Sequence, residues 1–175
     1  MNRQEFCQII ADIRKQSTIK MKDVCFQMGV MPTAIYRLEK GSSNFEMGNM
    51  MSYIKALQHI LVIENGQHSY RINDAQELGS ILALIRKEKA ISQRALAEKT
   101  GFVYSTIVKI ESKKSIISID TMLKIVDVLG YTVKIEKNNC YGCVHLCYYL
   151  DYYNVGTNVS IWVIRESPKT VVKRK

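Results

Sequence analysis

Tyr104, Ser105, Thr106 and Lys109 lie within six residues of one another, and all four side chains can hydrogen-bond. Ile107 and Ile110 interrupt them at i, i+3 spacing. On a helix this pattern buries the isoleucines and crowds the polar side chains on the outer face. Such a set has the chemistry of recognition rather than of reaction. Elsewhere there is little for catalysis to build on: three histidines (His59, His68 and His145), no phosphate-cradling glycine loop and no nucleophile–base pair, so an enzyme is not expected. Cys140, Cys143, His145 and Cys147 have zinc-ligand chemistry. All four sit within eight residues, with no distant second pair to close a tetrahedron, so neither a metal nor a cofactor is expected.

The elements that must hold the polar face can be read around it. Ser92 is a good N-cap, Leu96 and Ala97 give the next helix an apolar inner side, and Thr100-Gly101 stops it. A second helix then opens near Val103 and runs to about residue 112. A short helix, a tight turn and a second helix with a polar outer face make a helix-turn-helix, whose second helix enters the major groove. The net charge of +9 and pI near 9.3 agree with a polyanionic partner. That charge is uneven: +2 on 1–64, +2 on 74–136 and +4 on 137–175.

The run from Ile85 to Leu129 resembles the lambda-repressor-like (Cro-type or XRE-type) helix-turn-helix domain. Ser92-Gln93, the turn Leu96-Ala97-Glu98-Lys99-Thr100-Gly101, the stretch Ser105-Thr106-Ile107 with Lys109-Ile110-Glu111, and Ser118–Ile125 carry the likeness. The resemblance implies that Gln93 holds a phosphate or base edge at the front of its helix, beside Ser92. It also implies that Tyr104, Ser105, Thr106 and Lys109 face base edges and flanking phosphates, with Lys113 and Lys114 on the backbone. Val103 stands where the family has a small polar residue, which weakens the cap. In similar domains an arginine of the first helix pairs with a glutamate ending the recognition helix. Arg86 and Glu111 match those positions, and a structural, bidentate ion pair is implied.

Shifted by 72 residues, the chain aligns with itself without a gap. Phe6, Ile9, Ile10 and Ile13 fall on Leu78, Ile81, Leu82 and Ile85, the stripe of a first helix. Arg14 falls on Arg86, Gly29 on Gly101, Glu39 on Glu111, and Met47, Met50, Met51 and Ile54 on Ile119, Met122, Leu123 and Val126. Residues 1–64 therefore read as a divergent copy of 74–136, with Arg14–Glu39 as its own ion pair. The copies differ at the implied DNA surface: Lys20-Met21 replaces Ser92-Gln93, and Met31-Pro32-Thr33-Ala34 replaces Val103–Thr106. Lys20, Lys22, Thr33, Arg37 and Lys40 remain as weaker DNA-binding candidates.

Each copy ends in a β-branched run, 59–64 and 131–136, which reads as a strand. These strands are expected to pair with each other within the chain, making a covalent pseudo-dimer, and are also the candidate route for self-association. Residues 65–73 form a linker, or a hairpin through a type I′ turn at Asn65-Gly66. Three of five cysteines and five of ten tyrosines fall in 140–153. The segment 137–175 reads as a small β-hairpin-like tail of unknown role. The fold class is mainly α: tandem five-helix lambda-repressor-like domains, each followed by a short strand, plus that tail.

Met1–Glu5 lacks the apolar core of a signal peptide, no apolar run approaches the ~20 residues of a membrane span, and the odd cysteine count argues for free thiols. The expected location is cytoplasmic. The expected function is sequence-specific, double-stranded-DNA-binding transcriptional regulation, as a repressor. The alternative is an antitoxin-type regulator that also binds a toxin protein, and the second alternative is a protein-binding adaptor that has lost DNA.

Overall fold

Asn2 opens the first helix, α1 (Arg3–Gln16), with a capping box: its side chain accepts from the Glu5 N–H, and the Glu5 carboxylate accepts from the Asn2 N–H. The computed structural model describes residues 1–138, which form eight helices and three strands. α2 (Met21–Met28), α3 (Pro32–Glu39), α4 (Met47–Ala56), the strand β1 (His59–Glu64) and the strand β2 (Ser69–Ile72) complete the first part. Asp74, 72 residues after Asn2, then caps α5 (Ala75–Glu88) by accepting from the N–H groups of Gln76 and Glu77. α6 (Gln93–Thr100), α7 (Tyr104–Glu111) and α8 (Ile119–Val128) start and stop 72 residues after α2, α3 and α4. β3 (Thr132–Lys137) closes the described chain. Gly29 and Gly101 end α2 and α6 in the left-handed conformation, at φ 64° and 66°.

Each run holds four helices, not five. After α8, Gly130 turns at φ 68° and Tyr131 enters an extended β-branched segment, so the residues that a fifth helix would use go to the sheet. The core is continuous across both runs, from Phe6, Ile10 and Val24 through Met47, Met50 and Tyr53 to Leu78, Leu82, Ile107, Met122 and Val126. Ile9 is the exception to the first-helix stripe: it sits on the flank of α1 and is exposed, while Ile81 is half-buried. Cys7 and Cys25 are free and buried, and burial pushes the Cys7 thiol up to about 11. No described helix is long and apolar enough to cross a membrane.

The sheet has the order β2-β1-β3, both pairings antiparallel. β1 is therefore paired on both edges, and residues 59–64 have no free edge to offer another copy. The β1–β2 hairpin differs from the expected turn. Asn65 pairs with His68, so Gly66-Gln67 are the central residues, and only Gly66 has positive φ (83°). That is the pattern of a type II′ turn, one residue later than a type I′ Asn-Gly turn. Asn65 shapes it from outside: its side-chain oxygen accepts from the N–H groups of Gln67 and His68.

The contacts between the two runs obey a simple rule. Val62 lies opposite Lys134, its counterpart at 72 residues, and the flanking pairs exchange roles as Leu61 with Ile135 and Ile63 with Val133. Glu46 likewise bridges Ser118, with Met47 N–H donating to Ile117 C=O and Ile119 N–H donating to Phe45 C=O. Reciprocal pairing of this kind is the mark of a two-fold relation. Its axis passes between Val62 and Lys134 in the sheet, and between Glu46 and Ser118 at the starts of α4 and α8. Arg3, which reaches Gly41 C=O and Asp120, breaks the symmetry, because its counterpart is Ala75.

Candidate nucleic-acid interface

The polar outer face of α7 is fixed from beneath by an ion pair. Arg86 of α5 donates from Nε and Nη2 to the two carboxylate oxygens of Glu111, at 2.6 and 2.8 Å, and from Nη1 to Ile91 C=O. Both side chains are more than nine-tenths buried. The fork-to-fork geometry ties the end of α7 to α5 and the start of α6. The hydrogen bonds to Glu111 hold the Arg86 guanidinium above its ordinary range. For Glu111, burial acts to raise the carboxyl, but hydrogen bonds from Arg86 and Gln93 outweigh it and hold the group below the usual carboxylate range.

Gln93 extends this pair to the surface. Its amide Nε2 donates to Glu111 at 2.8 Å, and its oxygen faces the Tyr104 hydroxyl at a long 3.4 Å. The glutamine expected to hold a phosphate or base edge is thus half-buried, with its amide N–H turned inward to the ion pair. The inward turn follows from chemistry: a buried carboxylate needs more donors than one guanidinium supplies. Tyr104 is held on its other side by Arg94, whose guanidinium lies 5.7 Å from the ring centroid. Arg94 is absent from the sequence-derived set. Its place one residue after Gln93, in the first turn of α6, is the signal that could have found it.

The remaining candidates are distributed along the same surface. Ser92 accepts from the Ala95 N–H as the α6 cap. Ser105 and Lys109 are exposed, Thr106 is half-buried, and Lys113 and Lys114 are exposed just beyond the end of α7. An eight-residue helix is about 12 Å long, so Tyr104, Ser105 and Lys109 lie within that length and Lys113 and Lys114 just past its end. No side chain caps α7 at Val103, which is itself exposed. Lys113 has a left-handed backbone at φ 60°, where the counterpart in the first run, Gly41, has φ 61°. A lysine there carries a strain that glycine avoids.

In the first run the same frame holds a different surface. Arg14 donates to Glu39 from Nε and Nη2 at 2.5 and 3.0 Å, and the hydrogen bond holds its guanidinium above the ordinary range. The further donor is the Tyr53 hydroxyl of α4, fully buried, and burial with the Glu39 hydrogen bond pushes its phenol up. Met21 stands where Gln93 stands and makes no such link. Lys20, Lys22, Thr33, Arg37 and Lys40 are all exposed, and Arg37 lies 3.5 Å from the Ser43 hydroxyl. Phe26, Met31 and Tyr36 are also exposed, at 89%, 72% and 63%. Cys140, Cys143, His145, Cys147 and the expected tail hairpin lie outside the described residues.

No curated protein and no solved structure matches the chain. Residues 82–135, from within α5 to within β3, match the family model described as Helix-turn-helix, a family of DNA-binding transcription regulators, and this segment is therefore similar to domains whose partner is double-stranded DNA.

Proposed function

We propose that the chain is a sequence-specific DNA-binding transcriptional regulator, a repressor, that lays α7 in the major groove. The observation that carries this reading is the strip of hydrogen-bonding and cationic side chains on α7 and the loop after it, on the segment that matches the family model. Tyr104, Ser105 and Lys109 face outward to meet base edges and flanking phosphates. Lys113 and Lys114 meet the backbone as the helix ends. Arg86, Glu111 and Gln93 are positioning residues: they fix the pitch of α7 and the lean of Tyr104 without touching DNA.

In this reading 1–64 is a second, divergent copy of the same domain. Its support is the 72-residue recurrence of helix bounds and of the arginine–glutamate pair. The test is selection of binding sites from a random duplex pool by the full chain at two salt concentrations. An enriched motif whose affinity falls steeply with salt is the expected result. No enrichment, with only weak salt-sensitive retention, overturns it. The antitoxin-type and adaptor readings would then take its place.

A further inference from the structure

The contacts between the two runs say how a second half-site would be met. The pairs on the axis are Val62 with Lys134, in the strands that follow α4 and α8, and Glu46 with Ser118, at the starts of those helices. α3 ends at Glu39 and reaches the bridge through residues 40–45; α7 ends at Glu111 and reaches it through 112–117. Both helices therefore lead by six residues into the bridge, and the same two-fold relates them. A duplex has its own local two-fold axes, and a pair of two-fold-related helices is the arrangement that meets two successive major grooves.

The two helices do not carry equal chemistry. α7 has Tyr104, Ser105 and Lys109, whereas α3 exposes Thr33, Tyr36 and Arg37, with Lys40 just beyond it and Lys20 and Lys22 at the start of α2. The first surface keeps the cations that hold phosphates and lacks most of the groups that read bases.

We infer that a single copy of the chain occupies a duplex site of two unequal halves: α7 reads one half-site, and the first run clamps the backbone of the neighbouring turn with little base preference. This rests on the regulator reading of α7. The operator is then a defined half-site flanked, about one helical turn (~34 Å) away, by a half-site of tolerant sequence. The complex is one chain per duplex.

Hydroxyl-radical footprinting and native mass spectrometry of the full chain on its selected duplex test the inference, with Arg37→Ala/Lys40→Ala and Lys109→Ala as variants. Both substituted sites on α3 and its exit are exposed, so the fold is expected to survive, and circular dichroism checks it. The expected result is a 1:1 complex protecting two successive turns on one face. The double variant should lose the tolerant half of the footprint, keep the base preference and lower the salt slope by about 2. A 2:1 complex on a palindrome overturns the inference, as does a single protected turn that Lys109→Ala weakens and the double variant leaves intact. Capture of the first run by a protein partner in place of DNA would give that second outcome. No protected turn at all overturns the regulator reading along with it.

Discussion

Glu39 and Glu111 occupy matching places, each gripped by the arginine of the first helix in its run, and they differ in where the next hydrogen bond comes from. Glu111 takes it from Gln93, which faces the Tyr104 hydroxyl at the surface. Glu39 takes it from Tyr53, sealed in the core. One network ends at the surface, at Tyr104, and the other ends inside the protein. The frame is shared, and one donor decides whether it connects to the surface or to the core.

The largest effect expected in this comparison is a shared one. Arg86→Ala and Arg14→Ala each strand a buried carboxylate and should cost about 3 kcal/mol of stability, read by denaturant unfolding. Equal losses sharpen the view that the two pairs are the same structural device; a near-neutral Arg14→Ala would break it. Gln93→Met transplants the first run's residue into the second. It should weaken binding to the selected duplex about tenfold, or about 1.4 kcal/mol, measured by fluorescence anisotropy. Unchanged affinity would remove Gln93 from the support of Tyr104. Tyr53→Phe deletes the inward donor and should cost about 1 kcal/mol in thermal unfolding while leaving base preference alone. A changed preference would mean that the Glu39 network does reach DNA.

Smaller effects separate strain from charge and follow protons. Lys113→Gly adopts the residue that the first run has at Gly41, and relief of the left-handed lysine should stabilise the fold by up to about 1 kcal/mol. The same change should lower the salt slope of DNA binding by about 1. Stabilisation without loss of binding would show that the lysine serves no phosphate. Glu111 sits below the usual carboxylate range, so the folded chain binds fewer protons there than the unfolded one. The stability it contributes is full above its unfolded value, near 4.5, and is lost as pH falls through the lower folded value. Gln93→Met removes one donor, raises that folded value and should move the acid-unfolding midpoint up slightly; circular dichroism against pH reads it, and a fixed midpoint would argue that Arg86 alone holds the carboxylate.

The sequence makes legible whatever depends on local spacing. The stop signal at Gly101, the cap at Ser92 and the β-branched runs are local, and helices and strands lie where they point. The partners of long polar side chains are a different matter. The family resemblance implies a Gln93 that meets a phosphate or base edge, and in the fold a buried carboxylate 18 residues on takes its amide N–H. Tyr53 is invisible to a comparison of the two runs, since the residue 72 positions on is Ile125 and nothing polar marks the place. Ile9 follows the helical period and is still exposed, because period fixes a face and not how far a neighbour covers it. The missing fifth helix and the displaced hairpin turn share one cause: at Tyr131 and at Asn65, the sheet and a side-chain cap decide between conformations that the local residues leave open.

Residues on a true dyad must be identical, so a homodimer built on this axis would set each residue against itself. A pair of second runs joined this way would put Lys134 opposite Lys134, and a pair of first runs would bring Glu46 against Glu46, each a like-charge contact. Within one chain the same places are filled by valine with lysine and by glutamate with serine. Each run thus carries on the seam a residue that faces a different residue of the other run and not its own kind. Two halves cut apart would then be expected to pair with each other in preference to themselves, because only the mixed pair avoids both like-charge contacts.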